Sequence, residues 1–175
     1  VLVFATLRYR AYTESLRPVD FESQLAKMLE SGVLVQGQAD SSMKPREITR
    51  KCVTLIEQVG RGAFGAVWKA LLDESSVTGT PEYQVAAKTV LNANVSPEAS
   101  EDLINEAAVM AQVKGHPNLV SIIGVVTSGD PWILLLAYAE HGSVLDVLKT
   151  RIADGNAVPD LAKLEMAAQT SRGME

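Results

Sequence analysis

Apolar and polar positions change rhythm along these 175 residues, and each rhythm predicts an element. Near the start, Phe21, Leu25 and Leu29 recur at helical spacing in "DFESQLAKMLESG", with Gly32 as the expected stop. "SGVLVQGQADSSMKPRE" follows, rich in Gly, Ser and Gln, and has the composition of a linker. Residues up to about 50 therefore read as a leader outside the main core. From Cys52 the texture is that of strands. "CVTLIEQV" and "FGAVWKALL" flank a glycine cluster, "DESSVTGTPEY" is turn chemistry, and "QVAAKTVL" is a third strand-like run. "SPEASEDLINEAAVMAQV" predicts a helix, with Ser96 as N-cap, Pro97 at its first position and Glu98, Glu101 and Asp102 at its positive end. "NLVSIIGVVTSG" and "PWILLLAYA" read as two more buried strands, and "SVLDVLKTR" and "PDLAKLEMAAQTSRGME" as helices. Five strands with one helix after the third predict an α+β domain.

Composition narrows the function classes. Hydrophobic residues make up 47% and charged residues 21%, enough for a globular core. A net charge of −5 argues against a nucleic-acid partner, which selects for a basic field. The single cysteine, Cys52, excludes an internal disulfide and suits a reducing compartment, and His116 and His141 make no zinc signature. The opening "VLVFATLRYR" has two readings. Basic residues flank the inner side of membrane spans, so residues 1–7 with Arg8 and Arg10 fit the cytoplasmic end of one. Equally, so short a run is far below the ~20 residues a span needs, and fits a short strand or amphipathic stub.

The glycine cluster reads Gly60-x-Gly62-x-x-Gly65 within "VGRGAFGAV". Dinucleotide-binding βαβ units, phosphate loops of another class and plain tight hairpins all use this spacing. The dinucleotide version needs a helix starting in the motif and an acidic residue about 20 positions on, after the second strand. Here Val67 and Trp68 continue a strand, and Glu82 precedes the next strand rather than following it. In "VAAKTV", alternation puts Ala86, Lys88 and Val90 on one face, with Val85, Ala87 and Thr89 on the other. A lysine in an apolar strand is ordinarily an edge or solvent-facing residue. Beside Ala86, however, there is room for a flat ligand, and a cation next to a phosphate loop makes chemical sense. Glu106 sits at the margin of the apolar stripe formed by Leu103, Ala107, Met110 and Ala111. Bracketed by Ala, Val and Met, it needs a partner, and Lys88 is the available cation.

Taken together, "VGRGAFGAV", "VAAK", "NEAAVM", "HPNLVSIIGVV", "LLLAYAEHGSVLDVL" and "MAAQTSRGME" resemble the amino-terminal lobe of a protein kinase of tyrosine-kinase type, over residues 53–175. The resemblance implies a five-stranded antiparallel sheet with one regulatory helix, a hinge and the first helices of the large lobe. It implies that ATP, with Mg2+, is the cofactor, and that Gly60, Arg61, Gly62, Ala63, Phe64 and Gly65 fold over its phosphates, Phe64 covering the tip. Lys88 would hold the α- and β-phosphates and Glu106 would orient it. Val59, Val67 and Ala86 would sandwich the adenine, Leu136 would be the gatekeeper, and the backbones of Ala137 and Ala139 would bond the adenine edge. Met110 and Ile122 fall where the family stacks its regulatory hydrophobic column, though ordinary core packing explains them as well.

"KPREITR" resembles the lead-in of receptor tyrosine kinases, so residues 1–50 are expected to be a juxtamembrane or linker segment and residues 51–175 a partial kinase domain. The implied setting is the cytoplasmic side of a membrane, with a tyrosine-bearing protein as substrate and dimerisation open to the parent protein. Tyr9 and Tyr12 would then be candidate phosphorylation sites. Departures exist: Ala137 replaces the usual Glu, Ser143 stands where a ribose-contacting Asp or Asn is common, and Gly115 has the look of an insertion. No His-Arg-Asp or Asp-Phe-Gly occurs, and Asp20-Phe21 is a decoy because Glu22 follows. The expectation is that those residues lie beyond Glu175, that this chain transfers no phosphate by itself, and that Leu161, Leu164 and Ala168 lack their usual packing partners. A pseudokinase scaffold and a serine/threonine kinase of tyrosine-kinase-like type remain the alternatives.

Overall fold

A computed structural model describes residues 17–34, 44–62, 65–90 and 97–174. The strands are β1 (Val53–Gly62), β2 (Gly65–Leu72), β3 (Tyr83–Val90), β4 (Ile122–Val126) and β5 (Ile133–Ala137). They form one antiparallel sheet in the order β1-β2-β3-β5-β4. Helices α1 (Phe21–Glu30), α2 (Ser75–Thr78), α3 (Pro97–Gln112), α4 (Val144–Ala153) and α5 (Asp160–Gly173) complete the described chain. The expected five strands and the helix after the third are thus present. Ser96 lies outside the described residues. Within "DESSVTGTPEY" the turn is a single helical turn, α2, opened by Asp73 accepting from the Ser75 N–H and closed by Gly79 at φ +74°.

Alternation along β3 sorts the core to the two sides of the sheet. Val85 and Ala87 join Ile48, Cys52, Ala70, Leu72, Val126, Ile133 and Leu135. Val90, from the opposite face, joins Leu134, Ile122 and Val125 under Leu103, Ile104, Ala107 and Ala108 of α3. The run Ile133–Leu135 is buried on both faces, which explains why its sequence is continuously apolar rather than alternating.

The leader reading is corrected by the packing. Phe21, Leu25 and Met28 of α1, at spacing i, i+4, i+7, are buried in the same cluster as α3, while Leu29 is only half-buried. Burying three such side chains is worth roughly 1.5–3 kcal/mol each, which a solvated linker does not supply. Asp20 caps α1 by accepting from the Glu22 and Ser23 N–H groups, and Gly32 ends it at φ +75°. The lead-in "KPREITR" is equally integral. Glu47 bridges Val125 in parallel, so this stretch covers the outer edge of β4. Ile48 donates its N–H to Val125 O (2.7 Å), and Val125 donates to Arg46 O (2.8 Å). Arg46 grips Glu74 bidentately at 2.9 and 2.8 Å, and this hydrogen bonding raises the guanidinium pKa. Glu47 accepts from the N–H and hydroxyl of Thr127 and from the Ser128 N–H. Arg50 donates to the carbonyls of Ser128, Gly129 and Pro131, and burial lowers its pKa.

Helices α4 and α5 bury no side chain at all. Leu161 and Leu164 stand 70% and 67% exposed. Among the described residues no helix is long and apolar enough to cross a membrane, and residues 1–16 lie outside that set.

Candidate functional site

Strand register assembles the site. Val67 lies opposite Lys88, Lys88 opposite Leu134, and Ala86 opposite Leu136. Residues directly opposite in antiparallel strands project from the same face, so Val67, Ala86, Lys88, Leu134 and Leu136 share one. That face is divided. Leu134 and Val90 are buried under α3, whereas Val67, Ala86, Lys88 and Leu136 keep partial exposure and leave a shallow apolar floor open. Gly60 pairs with Val67 across a β1 irregularity between Gln58 and Gly60, which places the glycine hairpin next to this floor. Val59, inside that irregularity, is half-exposed.

Lys88 Nζ pairs with Glu106 Oε2, as the sequence predicts, bringing β3 and α3 together at one point. The side chains are 29% and 38% exposed. A pair this accessible contributes about 1 kcal/mol or less to stability. Its value is geometric: the cation of Lys88 is held at the rim of the open floor rather than free to wander.

The three glycines divide by what surrounds them. A Cβ on Gly65 would stand 2.0 Å from Thr89 O, so the β3 backbone itself requires glycine there. Among the described residues, a Cβ on Gly60 would meet only Val67 Cβ at 3.7 Å, and on Gly62 nothing within 4 Å. Among the described residues, packing therefore demands glycine at 65 and gives no such reason at 60 and 62. Gly62 pairs with Gly65 to close the hairpin, and Arg61 is exposed opposite Ala66. Ala63 and Phe64 lie outside the described residues.

At the far end of β5, the Ala137 N–H donates to Ser121 O (2.9 Å) and the Ala139 carbonyl accepts from the Gly142 N–H (3.1 Å). The Tyr138 ring lies 5.5 Å from Lys69 Nζ, a cation–π contact tying this connection to β2. Ser143 is occupied as the N-cap of α4. Its hydroxyl accepts from the Asp146 N–H and donates to Asp146 Oδ2 (2.5 Å), and that hydroxyl bond, with one from the Ser143 N–H to the same oxygen, holds the Asp146 carboxyl below its ordinary pKa. Met110 and Ile122 fall in one cluster with Leu134. Sequence reasoning missed Arg46, Glu47 and Arg50 as anchors, and missed Gln24, which donates to Asn105 beside Glu106 at 2.7 Å. Charge in a linker-like stretch was the only signal for the first three, and Gln24 carried none.

A five-stranded antiparallel sheet, a helix delivering glutamate to a lysine of the third strand, and a glycine hairpin beside that lysine define the small lobe of a protein kinase. Residues 53–175 match the family described as "Protein tyrosine and serine/threonine kinase", and the chain belongs to it. Its relatives include the insulin receptor of Xenopus laevis, 32% identical over 134 residues (73% of this chain, 10% of the relative). Tyrosine-protein kinase SRK2 of Spongilla lacustris is 35% identical over 144 residues (81% and 36%). Tyrosine protein-kinase src-1 of Caenorhabditis elegans is 37% identical over 128 residues (73% and 21%). The chain thus spans between about a tenth and a third of the length of these relatives.

Proposed function

We propose that this chain is the ATP-binding part of a protein tyrosine kinase, whose activity is transfer of the γ-phosphate of ATP to tyrosine on a protein. The observation that carries this reading is the Lys88–Glu106 pair at the rim of an open apolar floor, beside Gly60 and Gly62, which the described residues do not crowd. The floor fits a nucleotide. Val59, Val67, Ala86 and Leu136 offer apolar surface to a base, and the space around Gly62 admits phosphate oxygens to backbone N–H groups. Lys88 would hold the α- and β-phosphates, with Glu106 fixing its direction. The Ala137 N–H and Ala139 carbonyl are used internally, so a base edge would meet the Ala137 carbonyl and the Ala139 N–H. ATP supplies the phosphoryl group, and Mg2+ neutralises its charge. Among the described residues no His, Cys, Asp and Glu cluster is placed to hold a metal, so no step is assigned to Mg2+ here.

Residues 1–50 are read as juxtamembrane, on the cytoplasmic side, and dimerisation belongs to the parent protein. Support for tyrosine as acceptor comes from the relatives, which are named as tyrosine kinases or as a receptor. These 175 residues contain neither His-Arg-Asp nor Asp-Phe-Gly, so the purified chain is expected to transfer no phosphate above a Lys88→Met control. Equilibrium binding of ATP and NAD to the purified chain tests the reading. ATP binding that Lys88→Met weakens supports it; NAD binding without ATP binding overturns it.

A further inference from the structure

The face that carries the open floor holds a second lysine. Lys69 lies opposite Ala86, and Ala86 opposite Leu136, so the three form a row across β2, β3 and β5. Val67, Lys88 and Leu134 form the next row inward, roughly 7 Å along the strands. In the inner row Lys88 is held by Glu106. In the outer row Lys69 has a different partner: its ammonium sits 5.5 Å from the centre of the Tyr138 ring. Glu57 lies opposite Lys69 on β1, but the ammonium overlies the ring.

This contact joins strands that are not neighbours. β3 separates β2 from β5, so Lys69 and Tyr138 meet across about 10 Å of sheet. Ala86, the middle of the row, carries only a methyl group between them. Tyr138 lies one residue past the end of β5 and is half-buried, as Lys69 is, while Ala137 and Ala139 on either side are exposed. The Ala137 N–H and the Ala139 carbonyl are already bonded to Ser121 and Gly142. The Tyr138 ring therefore anchors the short stretch whose Ala137 carbonyl and Ala139 N–H are left to meet a base edge.

The geometry points to Lys69 and Tyr138 as positioning residues for the base: their contact straps β2 to the connection after β5 and fixes the Ala137 carbonyl and Ala139 N–H at the edge of the floor. This rests on the nucleotide-binding reading. It divides recognition between two lysines, Lys88 acting on the phosphates directly and Lys69 acting on the base through Tyr138. The strap needs a cation at 69 and a ring face at 138, not the particular residues.

The test titrates the 175-residue chain with adenosine and with inorganic tripolyphosphate, at about 0.15 M ionic strength, where charges more than about 8 Å apart are largely screened. Lys69→Met and Tyr138→Leu are each expected to weaken adenosine binding about two- to fivefold, and the double variant no more than the worse single one. Lys69→Arg and Tyr138→Phe, which keep the cation and the ring, are expected to retain the affinity. Tripolyphosphate binding should not change. Losses that add in the double variant, or tripolyphosphate binding that falls together with adenosine binding, overturn the proposal. ATP binding that Lys88→Met weakens, with adenosine binding indifferent to Lys69 and Tyr138, overturns the strap and leaves the nucleotide reading standing. Should the chain bind neither ligand, the nucleotide reading fails and NMR of the free chain decides the strap. Lys69 side-chain protons shifted upfield by the ring, with the Gly142 amide exchanging about two- to fivefold faster in Tyr138→Leu, support it. Unshifted protons or unchanged exchange overturn it.

Discussion

The sheet layer and the pair α4–α5 both carry large apolar side chains and do opposite things with them. In the sheet, Leu72, Val85, Leu134 and Leu135 are wholly buried, and even the lead-in contributes Ile48. In α4 and α5, Leu145, Ile152, Leu161 and Leu164 are exposed and no side chain is buried. The difference lies in partners. Leu72, Val85, Leu134 and Leu135 each lie in a cluster with side chains of other strands, a helix or the lead-in, whereas Leu161 and Leu164 on α5 face outward, as Leu55 and Ile56 do at the edge strand β1. Helical pattern alone makes a helix; only a second surface makes a core.

The sharpest way to break this contrast is to truncate one leucine from each region. Leu72→Ala or Leu134→Ala is expected to cost about 2–5 kcal/mol in urea unfolding, against less than about 0.5 kcal/mol for Leu164→Ala. Similar shifts in midpoint would show that α5 contributes to the same cooperative unit. Next in size is the glycine pair. Gly65→Ala must move the Thr89 carbonyl and is expected to cost about 1–3 kcal/mol, while Gly62→Ala should leave stability nearly unchanged and act only on ligand binding. A stability loss at Gly62 would mean that the hairpin needs that glycine for itself. A third expectation concerns the exposed stripe: Leu161→Glu with Leu164→Glu should lower self-association in sedimentation, with the unfolding free energy moved by less than about 0.5 kcal/mol. Unaltered association would locate the sticky surface elsewhere.

How much of this was legible without coordinates follows the range of the interactions. The strands, α3 and the Lys88–Glu106 pair were legible because alternation, turn chemistry and a charge stranded among apolar residues are local signals. The docking of α1 and the lead-in was not. Glu47 meets Thr127 80 positions away, and Arg50 meets carbonyls 78 to 81 positions away. Nothing near those residues in sequence distinguishes an anchor from a solvated linker charge. Met28 rather than Leu29 facing the core was also hidden, since both fit a helical stripe within one residue. Gly65 was legible as a glycine, but not its steric reason, which is the backbone of β3.

The smallest expected effect is on pH. The folded Asp146 carboxyl titrates below its ordinary 3.8, held by the Ser143 hydroxyl and N–H. Its contribution is therefore present above the ordinary Asp range and is lost as pH falls through the lower folded value. Helix α4 should fray in that acid window, and Asp146→Asn should flatten the pH dependence of its circular dichroism. An unchanged acid profile would mean that the capping box does not hold α4 in solution.

The central claim is that Lys88, steadied by Glu106, reads phosphate while the apolar floor reads the base. Titrating the chain and its Lys88→Met variant with ATP and with adenosine tests this most directly. The expected result is an ATP affinity reduced about tenfold or more by Lys88→Met, roughly 1.4 kcal/mol or above, with adenosine binding unchanged. Equal loss for both ligands, or ATP affinity that ignores the substitution, would contradict it.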